Sequence, residues 1–293
     1  AVHMWENLTF VGDGFPQVIV NLGPTGHAGY FKDVGYRFTE ETIWFHGKDQ
    51  LSPLVEFDEN SIWYKATMEM ASFLVNESKG DFFVSMPDNS GNADVLLELK
   101  GAEHTMIGMY TEEDFVQPAL DVIQAVWKKT TDEVYAIIHQ NNEHGSGIGW
   151  LFTWAPGKHA QLQCDMSAMI SPALYKKYIL KELTEQVQHL DYSLYHLDGI
   201  EQLRHLDLIL SIDGLDAIQW TSVAGQPSPL NYINDLKRIQ DSGKSLLMHM
   251  VKPNEVEHLM ENLSSKGLHI TTVVPTEDEA KSMVTMVERM THD

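Results

Sequence analysis

In the second half of the chain, short apolar runs rich in β-branched and aromatic residues alternate with stretches of ten to twenty residues whose apolar positions recur every three or four. That alternation predicts strands, each followed by a helix, in a parallel sheet. Strands are expected at 159–165, 192–198, 215–220, 245–250 and 268–274. Ser171-Pro172 predicts a capped helix start with proline at the first position, and the helix should run to about Leu190. After Pro253, residues Val256, Leu259, Met260 and Leu263 fall at i, i+3, i+4 and i+7, which predicts one buried face. The last helix repeats the arrangement with Ala280, Met283, Val284 and Val287, and Thr276 stands three residues before Glu279 in capping-box spacing.

The first half predicts strands at 15–22 and 81–86 and helices near 60–79 and 111–129. Residues 23–60, with Pro24, Tyr30, Arg37, Trp44 and Phe45, read as a long loop over the mouth of a barrel. Gly145-Ser146-Gly147-Ile148-Gly149 precedes a Trp-rich run and no helix, so it fails the test for a phosphate loop and reads as a flexible connection. This gives seven strands where a closed barrel needs eight. The eighth is expected upstream of Ala1 or in the opening residues. The expected fold is α/β, a (β/α)8 TIM barrel lacking its N-terminal segment, with 1–293 as a single domain.

A doubly wound open sheet also alternates strand and helix, but it gathers its polar residues at one switch point. Here Asn21, Asp88, Asp165, His196 with Asp198, Gln219 and His249 fall at or just beyond the ends of different predicted strands, as barrel sites require. The length of 293 residues suits one such barrel, and 43% hydrophobic with 21% charged residues fits a globular chain. No stretch is long and apolar enough for a bilayer, and the opening residues lack a signal-peptide pattern, so a cytoplasmic location is expected. A net charge of -22 argues against nucleic acid and anionic lipid surfaces as partners. Cys164 is the only cysteine, so any metal must be held by His, Asp or Glu.

His196-Leu197-Asp198-Gly199 is the sharpest local feature, because residues two apart on a strand face the same side and can converge on one metal or substrate. His249, in Met248-His249-Met250, would add a third ligand, and two histidines with a carboxylate suit zinc or iron. The plain alternatives are a histidine hydrogen-bonded to a carboxylate at a strand end and a core histidine between two methionines. Asp165 shares its face with Gln163, leaving Cys164 on the other side as an inert apolar residue. It reads either as a general acid/base or as a cap on the following turn. Asp88, in Met86-Pro87-Asp88-Asn89-Ser90-Gly91-Asn92, sits among turn formers, so an Asx turn stands beside a catalytic reading. Trp150, Trp154 and Trp220 would either wall a pocket for a flat ligand or belong to the core. His205-Leu206-Asp207 repeats the HLD letters inside a predicted helix at 200–210 and reads as structural.

The runs Gln163-Cys164-Asp165 through Ser171-Pro172-Ala173-Leu174-Tyr175, Tyr195-His196-Leu197-Asp198-Gly199, Asp216-Ala217-Ile218-Gln219-Trp220 and Gly243-Lys244 resemble the uroporphyrinogen decarboxylase and corrinoid methyltransferase superfamily. The resemblance implies a (β/α)8 barrel. Its methyltransferase branch carries His-x-Cys-Gly zinc ligands at a strand end and a further cysteine near the last strand. Here His196 matches, Asp198 stands in place of the first cysteine, and Thr271 and Thr272 occupy the region of the other. A site with Asp for Cys is harder and prefers oxygen ligands. The arginine-rich motif of the decarboxylase branch is not found, since Arg37, Arg204, Arg238 and Arg289 are the only arginines.

The expectation is therefore a methyltransferase-type enzyme acting on a small-molecule substrate. His196, Asp198 and His249 hold zinc or a polar substrate, Asp165 and Asp88 act as catalytic carboxyls, and Asn21, Gln163, Gln219 and Trp220 contact the substrate. A corrinoid is the methyl carrier and a corrinoid protein the partner that the resemblance implies. Tetrapyrrole decarboxylation and a noncatalytic barrel that binds a small molecule are the alternatives.

Overall fold

Gln17, Val18 and Ile19 form β1 (Gln17–Ile19), the first strand of the computed structural model, which describes residues 8–52, 54–221 and 225–293. The opening residues, one place assigned to an eighth strand, lie outside the described residues. The chain divides into an amino unit, Gln17–Tyr192, and a carboxyl unit made of residues 8–16 with Ser193–Asp293.

In the amino unit, the segment expected to be a long loop folds instead into a short 3-10 turn (Gly26–Tyr30) and an antiparallel hairpin, β2 (Val34–Phe38) with β3 (Ile43–Gly47). Thr39 closes the hairpin by donating its amide to Thr42 O at 2.8 Å. The sequence hid this because β3 buries Phe45 while Trp44 stays 40% exposed, so its alternation is short and aromatic on both faces. Helix α1 (Ile62–Ser78) starts at Ser61, whose Oγ accepts from Trp63 N at 3.1 Å. Then come β4 (Phe83–Ser85), α2 (Asn92–Lys100), α3 (Ala102–Thr111) and the long α4 (Glu113–Ile138), which outruns the expected end at Lys129.

A further strand among the described residues was not expected from the sequence. This is β5 (Ser146–Ile148), in the glycine-rich run read as a flexible connection, and all three of its residues are buried. A Cβ on Gly145 would lie 2.2 Å from Ala155 O, and one on Gly147 would lie 2.5 Å from Thr153 O. The glycines there serve close backbone approach to β6 (Thr153–Ala155), not flexibility. β4 pairs in parallel with β1, meets β5 through a parallel bridge between Met86 and Ile148, and is clasped by the buried Asn142 amide, which bonds both Val84 N and Val84 O. On the far side of β5 lies β7 (His159–Gln163), tied where Ser146 Oγ accepts from His159 N at 2.7 Å. The unit closes with α5 (Pro172–Leu174), a π-helical turn (Tyr175–Ile179) and α6 (Leu180–His189). Ser171 caps α5 through Leu174 N at 3.3 Å, as its Ser-Pro sequence predicts.

The carboxyl unit holds β8 (Tyr192–Leu197), α7 (Leu206–Leu210), β9 (Ala217–Trp220), α8 (Ile233–Asp241), β10 (Ser245–Met248), α9 (Pro253–Asn262), β11 (Leu268–Ile270) and α10 (Glu277–Met290). β8, β9, β10 and β11 form parallel neighbours in chain order. The expected face of α9 is buried through Val256, Leu259, Met260 and Leu263. α10 is capped by Thr276 Oγ1 accepting from Glu279 N at 3.3 Å, but Ala280, Met283, Val284 and Val287 are only half-buried. No helix among the described residues is long and apolar enough to cross a membrane.

Candidate active-site residues

His196 and Gln219 are register partners on adjacent strands, and both side chains are buried. Gln219 Nε2 donates to Trp220 O at 2.7 Å and to Thr221 Oγ1 at 2.9 Å, which consumes its two hydrogens and turns Oε1 toward His196 Nδ1. An amide oxygen only accepts, so Nδ1 carries the imidazole proton and the ring lone pair falls on Nε2. That nitrogen lies 3.9 Å from Asp198 Oδ1, so the expected imidazole and carboxylate do come together at the end of β8.

His249 is placed differently from the expectation. It follows β10, with Nδ1 3.2 Å from Thr271 Oγ1, and that hydroxyl also takes the amide of Met250 at 2.8 Å. Burial pushes the His249 imidazole down to about 4, and neighbouring His269 and His196 add to the effect, so the ring is neutral at physiological pH. Within the carboxyl unit alone, no three His, Cys, Asp or Glu ligand atoms lie within 4.8 Å of one another among the described residues. The unit therefore assembles a pair, His196 with Asp198, and not the three-ligand set that includes His249. Trp220 lies next to Gln219 in sequence and so on the opposite face of β9. It is 2% exposed, with its ring centroid 5.5 Å from that of Tyr232, a core position in place of the expected substrate wall.

In the amino unit, Gln161, Gln163 and Asp165 follow one another at spacing two along and just beyond β7. Gln161 Nε2 bonds Gln163 Oε1 at 2.6 Å, and Gln163 Nε2 bonds Asp165 Oδ2 at 3.0 Å. Gln161 also donates to Asp88 Oδ1 at 2.7 Å, so the chain of bonds joins both expected carboxyls. Asp88 makes the Asx turn as well, accepting from Ser90 N at 3.1 Å. Burial pushes its carboxyl up to about 7, and the charge of Asp94 adds to the shift. Asn21 stands apart on the exposed turn after β1, where its Oδ1 accepts from Gly23 N at 2.7 Å. Cys164 is fully buried on the other face of the strand, and burial pushes its thiol well up, in keeping with an inert role.

Two residues of this array were not singled out from the sequence. Gln161 was findable, since the alternation that puts Gln163 with Asp165 extends one step back. Asp94 sits in the first turn of α2 and accepts from Asp165 N at 2.9 Å and Met166 N at 2.7 Å. Burial pushes it up to about 7, with the Asp165 carboxylate contributing. Only its place as an acidic residue opening a helix marked it, and that signal is shared by many capping aspartates.

No protein-family model matches the chain, and no curated protein is detectably similar in sequence. Among solved structures, the fold is similar to that of a methyltransferase from Methanosarcina mazei, with a TM-score of 0.58 over 92% of this chain and 79% of that one. The two are 10% identical, so the likeness is one of fold. Parallel strands flanked by helices thus define this protein as α/β, with a methyltransferase-like fold.

Proposed function

We propose that this chain is a methyltransferase-type enzyme of uroporphyrinogen decarboxylase-like architecture, a single (β/α)8 barrel taking its methyl group from a corrinoid or a small methyl donor. The strand inventory supports the barrel, with β1, β4, β5 and β7 side by side in one unit and β8 to β11 in the other. The observation that carries the functional reading is the fixed tautomer of His196. Its lone pair is presented beside Asp198 by an amide clamp of the kind that orients metal-ligating histidines.

His196 Nε2 and Asp198 Oδ1 would hold a zinc ion, since an imidazole nitrogen and a carboxylate oxygen are both accepted donors for it. When bound there, zinc supplies a Lewis acid that lowers the pKa of a coordinated thiol or water. The Asp198 carboxylate makes the site harder than a thiolate set. Gln219 keeps the imidazole in its ligating tautomer, and neutral His249 offers a hydrogen bond without a competing charge. Asp88, with its carboxyl near 7, exchanges a proton readily at neutral pH, and Asp165 orients polar groups of the substrate. The acidic surface implied by a net charge of -22 suits a complementary corrinoid protein as partner.

Protein purified with added zinc, then incubated with methylcobalamin and a small thiol, tests the reading. Protein-dependent demethylation that is lost in His196→Ala is the expected result. Bound zinc below roughly a tenth of an equivalent removes the metal assignment. No demethylation by zinc-loaded protein, with either a thiol or an amine as acceptor, removes the methyltransferase assignment.

A further inference from the structure

The bonds linking Asp88 to Asp165 have a direction, and one group sets it. An indole N–H only donates, and Trp150 Nε1 meets Gln161 Oε1. The carbonyl end of the Gln161 amide must therefore face the indole, and its NH2 end must face away. Both hydrogens are then used, one to Asp88 Oδ1 at 2.7 Å and one to Gln163 Oε1 at 2.6 Å. Gln163 is fixed in turn: its oxygen accepts, so its nitrogen donates to Asp165 Oδ2 at 3.0 Å. Gln161 and Gln163 are each 5% exposed, so water does not readily replace a misplaced partner. A flip of the Gln161 amide would set its oxygen against Asp88 Oδ1 and Gln163 Oε1 together.

We propose that Trp150 and Gln161 are positioning residues that hold Asp88 and Asp165 as hydrogen-bond acceptors and thereby tune Asp88 as the proton-transfer group of the site. The use of that proton rests on the methyltransferase reading, whereas the positioning does not. Gln163, expected to contact substrate, also carries the relay on to Asp165. The groups that bear on Asp88 are the Asp94 carboxyl from α2, which raises its proton affinity, and the Ser90 and Gln161 N–H groups, which lower it. Losing the Gln161 donor leaves burial and Asp94 less opposed, so Asp88 should bind its proton more tightly. Losing the Trp150 donor frees the amide to turn, with an effect of the same sign.

The test is a pH titration of aspartate side-chain carboxyl carbons by 13C NMR on the full chain, in the wild type, Gln161→Met and Trp150→Phe. A resonance assigned to Asp88, by its absence in Asp88→Asn, is expected to titrate near 7. Its midpoint should rise in both variants, about 3- to 10-fold tighter proton binding. Hydrogen exchange of the Trp150 indole in the wild type and Gln161→Met gives a second readout that needs no catalysis, and exchange should be faster in the variant. An unmoved or lowered midpoint in Trp150→Phe, or unchanged indole exchange in Gln161→Met, overturns the proposal. Shifted midpoints without any methyl transfer by the wild type remove the methyltransferase reading and keep the positioning. Methyl transfer whose pH profile does not follow the shifted midpoint removes Asp88 as the proton-transfer group.

Discussion

The Oε1 atom of Gln219 holds the Nδ1–H of His196 across the β8–β9 register pair, and this bond decides which nitrogen of the ring can act. Gln219→Leu keeps most of the buried volume and removes the amide acceptor, leaving the longer contact of Thr221 Oγ1 with Nδ1 at 3.1 Å. We expect 15N NMR to show His196 as a tautomer mixture in place of a single Nδ1–H form. Zinc affinity, read by competition with a chromophoric chelator, should fall about 10- to 100-fold. Unchanged tautomer and affinity would mean that the amide does not orient the ring.

A second pairing predicts alkaline sensitivity. Asn92 Nδ2 donates to Glu182 Oε2 at 3.3 Å, while Asn92 Oδ1 and Glu182 Oε1 are buried acceptors with no partner among the described residues. Burial raises the Glu182 pKa well above the usual carboxylate range, so the fold favours its protonated form. Because the folded value lies above the unfolded one, this stabilisation is complete below about 4.5 and is lost as pH rises toward the folded value. Glu182→Gln carries the donor permanently. Urea unfolding at about pH 5 and about pH 8 should show a shallower loss with pH in the variant than in the wild type.

His27 works in the opposite direction. It is fully buried, stacks on Phe31 with centroids 5.7 Å apart, and neither ring nitrogen has a partner among the described residues. Burial pushes it down to about 3, below its unfolded value. Its contribution is therefore present above about 6.5 and is lost as pH falls toward 3. His27→Phe should keep the stack and flatten the acid side of a plot of melting temperature against pH. A variant as acid-sensitive as the wild type would place the sensitivity elsewhere.

Ser61 joins a helix start to the turn that precedes it. Its Oγ accepts from Trp63 N at 3.1 Å and donates to Gly29 O at 2.6 Å. Ser61→Ala removes both bonds in a buried setting, and urea denaturation should show a loss of about 1–2 kcal/mol. A change below a few tenths of a kcal/mol would mean that water replaces the hydroxyl.

Where the sequence misled, the cause was local. Trp220 was read as a wall for a flat ligand or as a core residue, and alternation on β9 sends it to Tyr232 and the core. His249 looked like a third ligand, but within the carboxyl unit no third His, Cys, Asp or Glu ligand atom joins His196 and Asp198 among the described residues. Glycines at 145 and 147 read as slack, whereas they admit backbone contacts that any side chain would block. By contrast, Ser171, Thr276 and the apolar face of α9 were legible because each depends on residues within one or two helical turns.

The sequence by itself determined the alternation of strand and helix, the helix starts, the inward parity of Gln163 with Asp165, and the pairing of His196 with Asp198. All of these follow from backbone period and from neighbours a few residues apart. Only the tertiary structure decided that Gln219 clamps His196, that Trp150 and Gln161 orient Asp88, and that Asp94 and Glu182 are buried carboxyls with raised pKa values. Those outcomes depend on which strand or helix lies across from a side chain and on how much water is excluded around it, and a repeat of two or of 3.6 along the chain carries neither.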